Sequence, residues 1–218
     1  MLTRDLISHS IPYLHLDDKV FHALQLMNDY HVAHLPIVAE DKYLGIISEE
    51  QLLHSDDDNH LHELLISDGG KSVQANDHFL KAIQIAVQNK LSIVPVIEEN
   101  HILGIVTYND LLRNASDFMS LNDPGGLIVL EIEGKDYSFN ELNRIVESND
   151  AQITQLNTFT DPETGIMQVT IRINKLEISD IISTLQRYEY NVKYYFGEEL
   201  YENELRNNYE NLMHYLKI

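Results

Sequence analysis

Thr107-Tyr108-Asn109-Asp110 sets a hydroxyl three residues ahead of a carboxylate, directly after the apolar run Leu103–Val106. Two kinds of chemistry use that spacing. As a capping box, the hydroxyl accepts from a helix-start amide while the acid reaches back to the amide of the hydroxyl residue. As a ligand site, the carboxylate can accept hydrogen bonds from two hydroxyl groups at once, and the Thr hydroxyl and helix-start amides can meet a phosphate. The roles are compatible, because Thr107 can cap while Asp110 faces a cleft. Fifty-nine residues earlier Ser48-Glu49-Glu50-Gln51 repeats the element with a neutral amide in place of the carboxylate.

Other residue types point less sharply to chemistry. Among the eleven histidines, His31-Val32-Ala33-His34 and His60-Leu61-His62 have metal-ligand spacing, and Asp56-Asp57-Asp58 is a candidate for a hard cation. No third transition-metal ligand is identifiable, the Asp run reads as a solvated loop, and no metal is expected. There is no cysteine, which removes thiolate catalysis, disulfides and zinc fingers. No Gly-rich phosphate loop, nucleophile elbow or His-Glu-x-x-His motif occurs, so no catalytic residue is nominated and the chain is not expected to be an enzyme. A formal charge of −20 argues against nucleic acid and anionic membranes. The N-terminus does not read as a signal peptide, and no run approaches the roughly 20 apolar residues of a membrane helix. A cytoplasmic location is the expectation.

The elements that must position these residues come as a duplication. From Leu14 to Leu53, the chain overlays itself without a gap at a separation of 59, with ten identical pairs. Pro36 falls on Pro95, Gly45 on Gly104, Asp18 on Asp77, and Leu52-Leu53 on Leu111-Leu112. Each copy reads as helix, strand, tight turn, strand, helix. In the first, these are the stripe Val20, Ala23, Leu24 and Met27, the runs Leu35–Val38 and Leu44–Ile47, and a helix from Glu49. In the second, they are Phe79–Asn89, Val94–Ile97, Leu103–Val106 and Tyr108–Asn114. Neither copy can close a core alone, so the two are expected to pack together. The boundaries are 1–58 and 59–121 for the repeats, with Asn122-Asp123-Pro124-Gly125-Gly126 as the break. Residues 127–197 then read as βαββαβ: strand Leu127–Ile132, a helix opened by the capping box Ser138-Phe139-Asn140-Glu141, strands Ala151–Phe159 and Ile166–Ile173, helix Ile178–Tyr188, strand Tyr190–Phe196. Residues 198–218 carry Tyr201, Leu205, Tyr209, Leu212 and Leu216 on one face of a terminal amphipathic helix, which would dock on its own domain or on another subunit. The fold class is therefore α/β and α+β.

The repeat unit resembles the cystathionine-β-synthase (CBS) domain, which occurs as tandem pairs. The resemblance rests on the apolar-Pro-apolar strand, the Leu-Gly-Ile-Ile/Val strand, the Ser/Thr after it and the closing Leu-Leu, and it covers residues 1 to about 115. Residues 127–197 are similar in layout to an ACT-type regulatory domain, although Glu133-Gly134-Lys135-Asp136-Tyr137 lacks an Asp-x-x-Gly pattern. The whole is similar to acetoin-utilisation-type accessory proteins. The resemblance implies a non-catalytic regulator that senses an adenosyl ligand: adenosine, AMP or a compound like S-adenosylmethionine. No cofactor is required. Ribose recognition falls on Thr107 and Asp110, with Ser92, Val94, Tyr108, Asn109 and Arg113 around them. Ser48, Gln51 and His34 mark the first-repeat cleft, expected to be degenerate or empty. Basic residues are scarce near Pro95, where Lys90 lies further back and Arg113 is the one well-placed cation, so a polyphosphate fits poorly. A homodimer is expected, with an unknown protein partner possible. The competing reading is a ligand-free module that dimerises or docks a partner.

Overall fold

The computed structural model describes residues 1–64 and 71–197. They form two compact units, divided between Ala115 and Ser116. In the first unit, strand β1 (Leu14–His15) leads to helix α1 (Val20–Tyr30), strands β2 (His34–Ala39) and β3 (Lys42–Ser48), and helix α2 (Glu49–Leu53). The second copy repeats the order as β4 (Val73–Gln74), α3 (Phe79–Asn89), β5 (Ile93–Glu98), β6 (His101–Thr107) and α4 (Tyr108–Phe118).

Local physics fixes the shared shape. Both hairpins turn through two residues of positive φ, Glu40 and Asp41 at 48° and 65°, Glu99 and Asn100 at 48° and 68°. Such left-handed pairs match the right-handed twist of the strands they join. Helices α1 and α3 end on left-handed residues, His31 at φ 54° and Lys90 at φ 53°. Val32 and Leu91 then donate back to Met27 and Ala86, closing each helix end. Asp18 and Asp77, identical in the two copies, each accept from a backbone N–H three residues earlier, both at 2.8 Å. They lock the turn ahead of the helix rather than joining its first turn.

The strands form one sheet in the order β1-β2-β3-β6-β5-β4. Its register is duplicated as well: His34 faces Ser48 as Ile93 faces Thr107, and the ladder shifts at Ile37/Val38 as at Val96/Ile97. The halves meet at Lys42 opposite His101.

The leading segments change places. Thr3 and Arg4 donate from their amides to Asp77 and Ala75 of the second repeat, at 2.9 and 3.1 Å. Leu61 and His62 donate to Asp18 and Leu16 of the first, at 2.9 and 3.0 Å. Each segment that precedes a repeat in sequence thus completes the other repeat in space. The exchange is sealed by apolar packing, since buried Leu61 sits in the first-repeat core and Leu6 and Ile7 pack on the second. The repeats expected at 1–58 and 59–121 are therefore interleaved at their leading ends.

The second unit carries β7 (Gly126–Glu133), α5 (Phe139–Glu147), β8 (Ile153–Thr160), β9 (Ile166–Ile173), α6 (Ser179–Arg187) and β10 (Asn191–Phe196). Its antiparallel sheet has the order β10-β7-β9-β8. Ile128, Leu130, Val169 and Ile171 of the sheet pack with Leu142, Ile145, Ile181 and Leu185 of the helices. This is the βαββαβ layout expected from the sequence. At Gly125 a side chain would collide with the Ile173 carbonyl, which is why the punctuation before β7 requires glycine. Ser138 accepts from the Glu141 amide at 3.4 Å, but the Glu141 carboxylate accepts from the Tyr190 hydroxyl at 2.7 Å. These hydrogen bonds form half of the expected capping box and send its acid across to the start of β10. The expected helix over 198–218 lies outside the described residues.

Candidate functional site: two strand-to-helix junctions

Thr107 ends β6 and Ser48 ends β3, and the helix of each repeat starts at the next residue. A strand that runs directly into a helix points its last hydroxyl at the new helix's free amides. At the second junction, the Asp110 amide donates to Thr107 Oγ1 at 3.0 Å, and the Thr107 hydroxyl donates to Asp110 Oδ2 at 2.6 Å. Arg113, one turn on, sets Nη1 3.5 Å from Asp110 Oδ1. A carboxylate has about four lone-pair sites, so Asp110 retains acceptor capacity beyond these partners. At the first junction, the Gln51 amide donates to Ser48 Oγ at 3.2 Å, and the Ser48 N–H and hydroxyl both donate to Gln51 Oε1 at 3.0 Å. The side-chain nitrogen of Gln51 then presents donors where Asp110 presents acceptors. In both, the hydroxyl caps the amide three residues on; Gln51 also reaches back to the Ser48 amide, whereas Asp110 takes the Thr107 hydroxyl.

The inner walls come from the starts of β2 and β5. The Ala33 amide donates to Ser92 Oγ at 3.0 Å, and the Ser92 amide donates to His34 Nδ1 at 3.2 Å. Ser92, expected beside Asp110, and His34, expected beside Gln51, are thus bonded to each other across the two repeats. Accepting that N–H requires a lone pair on Nδ1, as the neutral imidazole protonated at Nε2 provides, and the Ser92 hydroxyl oxygen lies 3.2 Å from the same nitrogen. Burial, first, and the charge of Lys71, second, hold His34 below its ordinary value. Val94 is wholly buried. Tyr108 and Asn109 are exposed on the first turn of α4.

A cavity of about 480 Å³ opens at the first junction. His34, Ser48, Glu49, Glu50 and Gln51 line it together with Lys71, Asn89 and Lys90 from beyond the first repeat. The sequence reading did not connect the latter three with Gln51. The left-handed end of α3 carries Asn89 and Lys90 there, and that end is visible in sequence only once the halves are known to face each other.

Two other clusters resolve into structural roles. His60 stacks on His62 with ring centroids 5.5 Å apart, and their Nδ1 atoms lie 2.7 and 3.3 Å from the carbonyls of Asp17 and Leu16. They tie the inter-repeat segment to the first repeat. Asp58 pairs with Lys19 at 2.9 Å. Among the described residues no three His, Asp or Glu side chains stand together as a metal site. The second unit has an acidic hollow of about 510 Å³ beside Glu131, Glu133, Glu141 and Tyr190. Glu131 and Glu133 are paired with Lys193 and Lys135 at 2.7 and 2.8 Å. Burial and then the Glu141 hydrogen bond push the Tyr190 phenol up.

Residues 4–58 and 71–117 match the CBS domain family. The first unit is a tandem CBS domain pair. The chain is 22% identical over 134 residues to inosine-5′-monophosphate dehydrogenase of Methanocaldococcus jannaschii, a match covering 61% of this chain and 27% of that enzyme. It thus spans about a quarter of the length of this curated relative. Among solved structures, a CBS domain pair/ACT domain protein from Thermotoga maritima has a TM-score of 0.51 at 19% identity, covering 55% of this chain and 99% of that one. A Vibrio cholerae protein assigned to acetoin utilization has a TM-score of 0.49 at 22% identity, covering 56% and 95%. Among the described residues no helix is long and apolar enough to cross a membrane.

Proposed function

We propose that this CBS pair is a non-catalytic sensor of an adenosyl ligand, such as adenosine, AMP or a compound like S-adenosylmethionine. The observation that carries the reading is the second junction, where the partly buried Asp110 carboxylate stands beside Thr107 with acceptor capacity to spare. The two hydroxyls of a ribose suit that carboxylate, and the first amides of α4 suit a polar group beyond it. Sensing requires the ligand to favour one arrangement of the protein over another, because equal affinity shifts nothing. The ferredoxin-like second unit, read as ACT-like, and a protein partner are the candidates to receive that shift. A second copy of the chain fits the exposed apolar residues Val87, Tyr108 and Leu112, which border a small apolar hollow between α3 and α4. A cytoplasmic regulator of this kind needs no cofactor.

A thermal-shift series with adenosine, AMP, ATP, NAD and S-adenosylmethionine tests the reading. An adenosyl compound should raise Tm in the wild type, and Asp110→Ala should abolish the rise. A hundredfold excess over Kd stabilises by about 2.7 kcal/mol, well within detection. The ligand-free docking module is the second reading, favoured by the side-chain hydrogen bonds that each junction makes within itself. Absence of any shift at millimolar ligand would leave that reading in place.

A further inference from the structure

We propose that His34 and Ser92 form a proton-operated latch that sets the two strand-to-helix junctions together. The latch needs no ligand in either cleft, so it stands or falls apart from adenosyl sensing. Three observations converge on it.

The first is a path between the junctions. Ala33 and Ser92 hold equivalent positions, 59 residues apart, directly before β2 and β5. Each carbonyl accepts the first amide of the helix that closes its own repeat, Glu49 to Ala33 and Tyr108 to Ser92, both at 2.9 Å. The Ala33 amide in turn donates to Ser92 Oγ at 3.0 Å. Three hydrogen bonds therefore lead from the start of α2 to the start of α4, and Ser92 holds two of them.

The second is a nitrogen with two competing partners. The amide and the hydroxyl oxygen of Ser92 both lie 3.2 Å from His34 Nδ1. Unprotonated, Nδ1 accepts from the amide. Protonated, it only donates, and the hydroxyl oxygen is then the acceptor within reach. The Ser92 amide loses its partner in that exchange, and a part-buried donor left without one is costly. Movement of the Ser92 backbone to relieve it carries along the carbonyl that holds Tyr108. His34 itself faces Ser48 across the β2–β3 ladder, so the same event reaches the first junction directly. The two pairings of Nδ1 are the two discrete arrangements that coupling requires.

The third is the asymmetry of the repeats at this point. Ala33 stands where the second copy has Ser92, and Ile93 stands where the first has His34. One imidazole and one hydroxyl thus meet between the halves, and a single proton decides their pairing. Lys71 and Lys90, from the segment before β4 and the end of α3, disfavour that proton, while Glu49 and Glu50 of α2 favour it. Burial and Lys71 prevail and hold His34 below its ordinary value.

NMR of the full chain titrated from pH 8 to pH 5 tests the latch through the His34 ring and the backbone amides. The Ser92, Glu49 and Tyr108 amides should shift with the midpoint of the His34 ring. His34→Gln, which accepts but does not titrate in this range, should abolish the shared transition. Ser92→Ala should lower the ring midpoint by about one unit, through loss of the oxygen that receives the new proton. Ser92→Thr, which keeps that oxygen, should leave the midpoint in place. A Tyr108 amide that stays still while His34 titrates overturns the proposal, as does a Tyr108 transition that persists in His34→Gln. A ring midpoint unmoved in Ser92→Ala, or a His34 ring that takes up no proton down to pH 5, overturns it too.

Discussion

His34 and Ser92 stitch the two repeats together, and the bond from the Ser92 amide needs an unprotonated Nδ1. The Ser92 amide donates to Nδ1 at 3.2 Å, and protonation there would replace an acceptor with a second donor. Lys71, Lys90, Glu49 and Glu50 line the same cavity. Burial and Lys71 lower the folded-state value of His34 below 6.5, so the unfolded chain takes up this proton first on acidification. The resulting stability is complete above the unfolded value and is lost as pH falls from there toward the lowered folded one. Urea unfolding from pH 8 to 5 should show this as a falling midpoint. His34→Gln, which retains an acceptor, should have a shallower acid slope. At this scale, Thr107/Asp110 and Ser48/Gln51 were legible because a capping box is a local pattern. The His34–Ser92 bond and the lysines that share a cavity with Gln51 were not, since each joins residues from different repeats.

Hairpins and long helices follow from runs that sequence displays plainly: Leu35–Val38, Leu44–Ile47 and the stripe from Val20. The two-residue strands β1 and β4 escaped, because alternation cannot be read over two positions. Glu141 was misjudged for a related reason. Its spacing to Ser138 fits a local cap, while Tyr190, whose hydroxyl donates to its carboxylate, lies 49 residues away. The leading segment depends on one element in particular. It crosses β6 with Ser8 bonded to Ile105 at 2.8 Å, and a Cβ on Gly104 would run into the Ile7 side chain. Gly104→Ala should therefore destabilise by about 1–3 kcal/mol through overpacking. In an Ile7→Ala background it should cost less, a coupling that a double-mutant cycle in urea would measure.

At the scale of the whole molecule, the described residues form two sheets with separate cores, and within the first unit the halves complete each other. Removing residues 1–10 takes away Thr3, Leu6 and Ile7, all of which pack on the second repeat. Amide hydrogen exchange on that truncation should show lost protection in β4 and α3, far along the chain, with α1 close to the cut retaining more of its own. Sequence alone made the duplication plain and placed the seam between the copies at residue 58, where the first matched segment also ends. The reciprocal crossing of their leading arms over that seam bears on descent. A solitary ancestral copy would have carried an arm with nowhere to fold on its own body. Two such molecules could each have lent the arm to the other as a swapped homodimer. Fusion of the genes would then have made the loan internal and freed each half to change alone, as residues 51 and 110 have.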